Sequence, residues 1–300
     1  MLAAALAVGA TSAMASTALA QEPAPPPDTT GPSAFDMQIY GVDQADPGYV
    51  HQGGQIYMYA DVRDPAGVKS VTANISSVGM ASGTSLYSNA NIPMDGDPTV
   101  SSWWYHDWRA RTTVAEGTYP WSVSMTDQLG NTSTQSSTVI VDNTPAKATD
   151  VQTANGAGGT VGKPEQGDSI TYSLSEMVNR FVASDGGDDV VVRIDNSGTN
   201  DILRVYNAQN SYLSPAWGSV ALGKDYVSAN RTFGATGTKS RMVRNGNNVT
   251  ITLGTPSGTT NKVTSAAKMT WTPGNFACDR AGNKSLTTPA TETGTLDVEF

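Results

Sequence analysis

Residues 117–131 read GTYPWSVSMTDQLGN, and this stretch decides the fold. From Tyr119 to Met125, large apolar side chains alternate with small polar ones through Trp121 and Val123, the period of a strand with one buried face. The alternation stops at Asp127-Gln128-Leu129-Gly130-Asn131. This is a turn in which Asp accepts backbone N–H groups, Gly takes positive φ and Asn tolerates the left-handed region. The Asp-x-x-Gly-Asn pattern recurs at Asp279, Gly282 and Asn283, followed again by a Ser/Thr-rich stretch and a final strand. Tyr119 lies eight residues before its Asp, where an aromatic commonly anchors the penultimate strand of a β-sandwich. Trp271 holds the same offset before Asp279, but Pro273-Gly274 interrupts the run. There the pattern predicts one strand over 269–272 and a short one over 276–278.

Outward from that stretch the chain reads as strand throughout. Residues 56–62 and 68–75 alternate in the same way, and 138–141 follows the first turn. Asp64-Pro65-Ala66-Gly67 and Asp95-Gly96-Asp97-Pro98 are turn formers between them. After the connector Asp142-Asn143-Thr144-Pro145, strands are predicted over 169–174, 190–194, 202–206, 220–222, 248–253, 267–271 and 295–300, with a hairpin spanning 193–202. No stretch carries a strong 3.6-residue period, so the fold class is all-β, two tandem β-sandwiches.

Ahead of them, residues 1–20 carry no charge and close on Ala18-Leu19-Ala20, a small-x-small cleavage pattern. The run is too short and too Ala-rich to span a bilayer comfortably. It lacks the opening Lys or Arg of a signal peptide, but a signal peptide is still the reading it supports. Residues 21–34 are Pro-rich and unpatterned, an extended linker. The organisation predicted is a signal peptide over 1–20, a linker over 21–34, and sandwiches over 35–145 and 146–300. No second apolar run has spanning length, so the product is expected to be secreted or displayed at a cell surface, without a transmembrane segment.

Composition removes several functions. Of 300 residues, 27 are acidic, 18 basic, two are His and one is Cys. One Cys allows no intrachain disulfide and no Cys-rich zinc ribbon. A net charge of −9 argues against nucleic acid as a partner. Charged residues make up 15% of the chain, against roughly 25% for ordinary globular domains. An exported chain with one thiol is ordinary for a bacterium. The charge is also uneven. Residues 35–145 hold eleven acidic and four basic side chains, whereas 146–300 hold fourteen of each. This permits head-to-tail self-association, first unit against second.

Trp103-Trp104-Tyr105-His106-Asp107-Trp108 is the densest aromatic run. Exposed on a sheet, Trp103, Tyr105 and Trp108 would stack on sugar rings, with Arg109 and Asp107 bonding hydroxyls. Strand alternation, however, puts Trp104, His106 and Trp108 on one side and Trp103, Tyr105 and Asp107 on the other, so one set belongs to the core. Asp185, Asp188 and Asp189 share a glycine-rich loop whose oxygens suit Ca²⁺, although EF-hand spacing is missing and an acidic turn is the plainer reading. Asp95 and Asp97 stand in the same position. No other cofactor is expected. Neither His51 nor His106 neighbours a Gly-x-Ser-x-Gly elbow, and no concave scaffold is signalled for a carboxylate pair, so the chain is expected not to be an enzyme. Cys278 reads as a small buried hydrophobe, with intermolecular pairing as the alternative. Arg231, Lys239, Arg241 and Arg244 read as a solvated loop, with anionic wall polymers as the alternative contact.

Several runs resemble the bacterial Ig-like domains found in tandem on exported proteins. WYHDWRARTTVAEGTYPWSVSMTDQLGN (104–131) is similar to the end of such a domain, and KPEQGDSITYSLSEMV (163–178) to the opening of one. VVVRIDNSGTNDILRVYNAQN, LGKDYV, NNVTITLG and MTWTPGNFACDRAGN are similar to a longer variant. The resemblance implies spacers, stalks, adhesive or glycan-facing modules, with no catalytic residues to carry over. Partners would be an extracellular protein or a polysaccharide. Three readings stand: a structural or adhesion module, a glycan-binding module using the aromatic strand, and a calcium-rigidified stalk.

Overall fold

Alternation of large and small side chains sorts the first unit into two layers. In the computed structural model, residues 26–42, 45–78, 80–81, 91–93, 95–96, 101–112, 114–214, 216–275 and 277–300 are described, with backbone alone for Tyr40 and for those between 80 and 112. The strands are β1 (Ser33–Gly41), β2 (Tyr49–Val50), β3 (Gln55–Arg63), β4 (Val68–Asn74), β5 (Met80–Ala81), β6 (Asn91–Pro93), β7 (Asp95–Gly96), β8 (Ser101–Thr112), β9 (Gly117–Asp127) and β10 (Thr132–Val141). One sheet runs β1-β3-β8-β5 with β7 also on β8, and the other runs β2-β10-β9-β4-β6. Pairing is antiparallel except for β2 on β10. Ile56, Met58 and Ala60 of β3 share one buried cluster with Val71 and Ala73 of β4 and Trp121, Val123 and Met125 of β9. Each such aliphatic side chain contributes about 1.5–3 kcal/mol by leaving water.

Two local devices fix this unit. Tyr119 donates its hydroxyl to the Ala115 carbonyl at 2.9 Å, which pins the corner where β9 begins. Ahead of β1, residues 28–32 are already attached. Asn131 Nδ2 donates to the Asp28 carbonyl at 3.1 Å, and the Ser133 hydroxyl donates to the Pro32 carbonyl. Gly31 lies so close to the Thr132 backbone that a Cβ would overlap it. The described end of the Pro-rich stretch therefore belongs to the sandwich, and the boundary expected at residue 34 moves toward the N-terminus.

The second unit comprises β11 (Ala148–Ala154), β12 (Ser169–Leu174), β13 (Asp188–Asp195), β14 (Ile202–Asn207), β15 (Ser219–Ala221), β16 (Arg231–Phe233), β17 (Ser240–Asn245), β18 (Asn248–Thr252), β19 (Thr270–Thr272) and β20 (Ala290–Thr291). They form one ten-stranded sheet, ordered β11-β12-β18-β17-β13-β14-β15-β19-β20 with β16 on β13. The sheet curls until its ends meet. Thr293, just past β20, donates its N–H and hydroxyl to the Asp150 carboxylate of β11 at 2.8 and 2.9 Å. Inside, Tyr172, Trp217 and Trp271 pack with ring centroids 4.8–6.3 Å apart, and Trp271 Nε1 donates to the Trp217 carbonyl at 2.7 Å.

β13 and β14 form the expected hairpin, pairing Asp195 with Ile202. Residues 295–300 are not a strand and touch the ladder at one bridge, Asp297 with Ala267. The strand expected over 267–271 is confined to β19. β11, β16, β17 and β20 lie outside the strands that the sequence pattern predicts. Cys278 is buried and bridges to Lys284 in backbone pairing; Phe276 lies outside the described residues.

Candidate functional site

The two Asp-x-x-Gly-Asn turns are built alike. Asp127 accepts the Asn131 N–H and Nδ2 at 2.7 Å each, and Gly130 has φ +94°. Asp279 Oδ1 accepts the N–H groups of Ala281 and Asn283 at 2.9 Å each, and Gly282 has φ +89°. Each turn then clasps the segment leading into its own unit. Asn131 Nδ2 bonds the Asp28 carbonyl, and Asn283 Nδ2 bonds the Asp142 carbonyl at 2.8 Å. Those two aspartates repeat as well, since each accepts the N–H of the Thr two residues on, Thr30 at 2.9 Å and Thr144 at 3.0 Å. The Asp-x-Thr repeat at 28–30 and 142–144 is itself written in the sequence.

This doubled architecture gathers carboxylates. Asp28, Asp64 and Asp127 bring oxygens within 4.8 Å of one another, and so do Asp142, Glu176 and Asp279. A third such group, Glu292, Asp297 and Glu299, lies near the end of the chain. In the second group Asp279 is fully buried, and its Oδ2 accepts no hydrogen bond. Burial, with a lesser push from the Asp142 charge, brings the Asp279 carboxyl up to about 6 against the bonds from Asn283. Burial, then the adjoining Asp142 carboxylate, raises Glu176. Desolvation raises Asp64 in the first group, whereas the Thr30 bonds hold Asp28 below the usual range. Hard oxygen ligands at this spacing suit a divalent cation of the calcium type.

Beside the Asp142 group lies the contact between the units. Asp46, 5% exposed, comes from the loop before β2. Its backbone N–H donates to the Arg280 carbonyl at 2.7 Å, and its carboxylate takes Arg280 Nε at 3.3 Å and the Arg180 N–H at 3.2 Å. Arg244, 7% exposed on β17, stands 3.7 Å from Asp46 and grips Asp185 at 2.7 and 3.0 Å. Arg280 also donates to the Tyr49 hydroxyl at 2.6 Å and lies over the Tyr49 ring at 3.8 Å. His51 Nδ1 is 2.8 Å from the Ala281 carbonyl. Arg244 holds the Asp185 carboxyl below its ordinary range by hydrogen bonding and charge. Asp46, Tyr49 and His51 carried no sequence signal, because their partners are about 230 residues away in the chain.

The residues singled out in the sequence are placed as follows. Trp103, Tyr105, Trp108 and Arg109 all lie on β8, but their side chains fall outside the described residues. The backbone register sets Trp104, His106 and Trp108 opposite the buried Ala60, Met58 and Ile56. It sets Trp103 and Tyr105 opposite Asp61 and Tyr59. Asp95 is on β7, with side chain undescribed, and Asp97 lies outside the described residues. The glycine-rich loop directs its carboxylates apart. Asp185 pairs with Arg244, Asp189 with Arg241 at 3.1 Å, and Asp188 accepts the Ser184 N–H at 2.9 Å. The basic group disperses too, for Arg241 and Arg244 serve that loop while Arg231 and Lys239 bond carbonyls.

Fold and junction define an all-β chain of two units joined through a largely buried ionic contact. No family model matches the chain, and no curated protein matches it, so the Ig-like likeness rests on the turn and strand motifs. Among solved structures it is similar to dimeric latent PorU from Porphyromonas gingivalis, at 12% identity and TM-score 0.28, covering 91% of this chain and 21% of that one. It is also similar to the C-terminal domain of the Streptococcus pyogenes antigen I/II-family protein AspA, at 10% identity and TM-score 0.25, covering 89% of this chain and 100% of that one. The chain thus spans about a fifth of the PorU chain, and overlap this low bears on neither activity nor partner. Among the described residues no helix is long and apolar enough to cross a membrane.

Proposed function

We propose that this chain is an exported, non-enzymatic structural module, in which two β-units are held in one orientation and present surfaces to an extracellular protein or polysaccharide. The observation that carries the reading is Asp46, buried between the units with Arg280, Arg244 and the Arg180 amide converging on it. A flexible linker would have no use for a desolvated charge cluster, which is costly unless every partner is in place. The Asp142–Glu176–Asp279 group beside it supports a divalent cation as a further brace. Small-angle scattering tests the reading: one rigid two-lobed envelope is expected, and a profile that requires an ensemble of inter-unit angles would contradict it.

Carbohydrate binding is a second reading, favoured by the outer side of β3. Tyr57 and Tyr59 are half-buried there with rings 6.4 Å apart, and the backbone register pairs Tyr59 with Tyr105 and Asp61 with Trp103. Tyr rings in such a row would stack on sugar faces. A glycan array probed with the intact chain and with Tyr59→Ala tests this, a signal lost in the variant being the supporting result.

A further inference from the structure

The last segment of the second unit is held in the interior without being a strand. Residues 292–300 meet the ladder at the Asp297–Ala267 bridge, while Phe300 is buried with its ring edge-on to Tyr226 at 5.4 Å. Into this segment the sequence places three carboxylates whose oxygens lie within 4.8 Å of one another. Glu292 and Glu299 are 3% and 2% exposed, and Asp297 opens to solvent. Glu292 Oε2 accepts the Met269 N–H at 3.0 Å, and Glu299 Oε2 accepts the Thr153 hydroxyl at 2.6 Å. Glu299 Oε1 is buried and, among the described residues, accepts no hydrogen bond, with the Glu292 carboxylate as the side chain's close neighbour. Among the described residues no ion pair reaches any of the three. Lys268 Nζ, the nearby cation, donates instead to the carbonyls of Glu292 and Gly294 at 3.0 and 2.9 Å.

Three carboxylates so close cannot all be charged in a desolvated site without a counter-charge. A proton on Glu299 relieves its contact with Glu292 and leaves Asp297 unmatched. A divalent cation takes an oxygen from each. Ca²⁺ accepts six to eight oxygens in irregular geometry, whereas Mg²⁺ keeps its waters and uses one or two carboxylates. The exposed Asp297 gives the ion its route in. None of these residues belongs to an Asp-x-x-Gly-Asn turn, so the site is separate from the junction group.

We propose that Glu292, Asp297 and Glu299 bind a divalent cation of the calcium type, which fastens residues 292–300 to the second unit. Hydrogen exchange on the full chain at neutral pH, in chelator and then in calcium chloride, reads this segment directly. With calcium at about 100 times its Kd, amides of 292–300 are expected to exchange about 100-fold more slowly. Glu299→Gln is expected to lose that protection, while Asp279→Asn, at the junction, keeps it. Should Glu299→Gln fail to fold, Asp297→Asn at the exposed ligand carries the test and is expected to require more calcium for half-maximal protection. Unchanged exchange in the native chain would overturn the proposal, as would native-like response in Asp297→Asn. Protection that rises with acid after correction for the intrinsic exchange rate, without any calcium effect, would assign the site to a proton shared by Glu292 and Glu299 and equally overturn it.

Discussion

Asp46 and Arg280 bind each other twice: the Asp46 N–H donates to the Arg280 carbonyl at 2.7 Å, and Arg280 Nε donates to the Asp46 carboxylate at 3.3 Å. Backbone and side chain thus fix the same pair across the junction. Removing the carboxylate takes the counter-charge from Arg280 and weakens the site of Arg244, although Arg280 keeps Tyr49 and Arg244 keeps Asp185 and the Val178 carbonyl. Asp46→Ala is therefore expected to cost about 3 kcal/mol, the low end for breaking a buried pair. Urea denaturation checks it, and separate unfolding of the two units is expected to appear in the variant.

At the same end of the first unit, where β9 begins beside the β10–β2 pairing, Tyr119→Phe removes one hydrogen bond and keeps the ring. The Ala115 carbonyl loses its partner at the corner of β9, and a loss of about 0.5–1.5 kcal/mol is expected. Thermal unfolding measures it. A neutral result would mean that the ring alone anchors the strand.

Gly31 tests whether the segment ahead of β1 belongs to the fold. A methyl group there would overlap the Thr132 backbone, so Gly31→Ala is expected to cost about 1–3 kcal/mol and to release residues 28–32. Limited proteolysis is expected to cut the variant within that stretch and to spare the native chain.

The junction carboxylates give a pH dependence in the metal-free protein. Burial raises Asp279 from an ordinary 3.8 to about 6, so the folded state holds a proton that the unfolded state has lost. The contribution of Asp279 to stability is full below pH 3.8 and is lost as pH rises through 6. In chelator, melting temperature is expected to fall across that window, and Asp279→Asn to flatten the fall. Calcium is expected to restore the loss above pH 6, because a bound cation takes over the role of the proton.

What the sequence showed was what is local. Tyr119, the Asp-x-x-Gly-Asn turns and the β13–β14 hairpin are written in neighbouring residues, because strand period and turn chemistry act over a few positions. The run at 295–300 misled, since its backbone makes one bridge, Asp297 with Ala267, while the Phe300 N–H donates to the Thr153 hydroxyl and the Phe300 carbonyl accepts the Gly162 N–H. The glycine-rich loop left two readings open, an acidic turn and a cation loop. Asp185, Asp188 and Asp189 look like a cation loop until Arg241 and Arg244 arrive from more than fifty residues away. The Asp46 contact joins residues that no local pattern links, and only the folded chain brings them together.

Spin labels at the exposed Ser136 and Ser228, each changed to Cys with Cys278→Ala to remove the native thiol, place one probe on either unit. Double electron–electron resonance between them tests the fixed orientation most directly. A single narrow distance distribution that broadens in Asp46→Ala is the predicted result. A broad distribution in the native chain, or one that Asp46→Ala leaves unchanged, would contradict it.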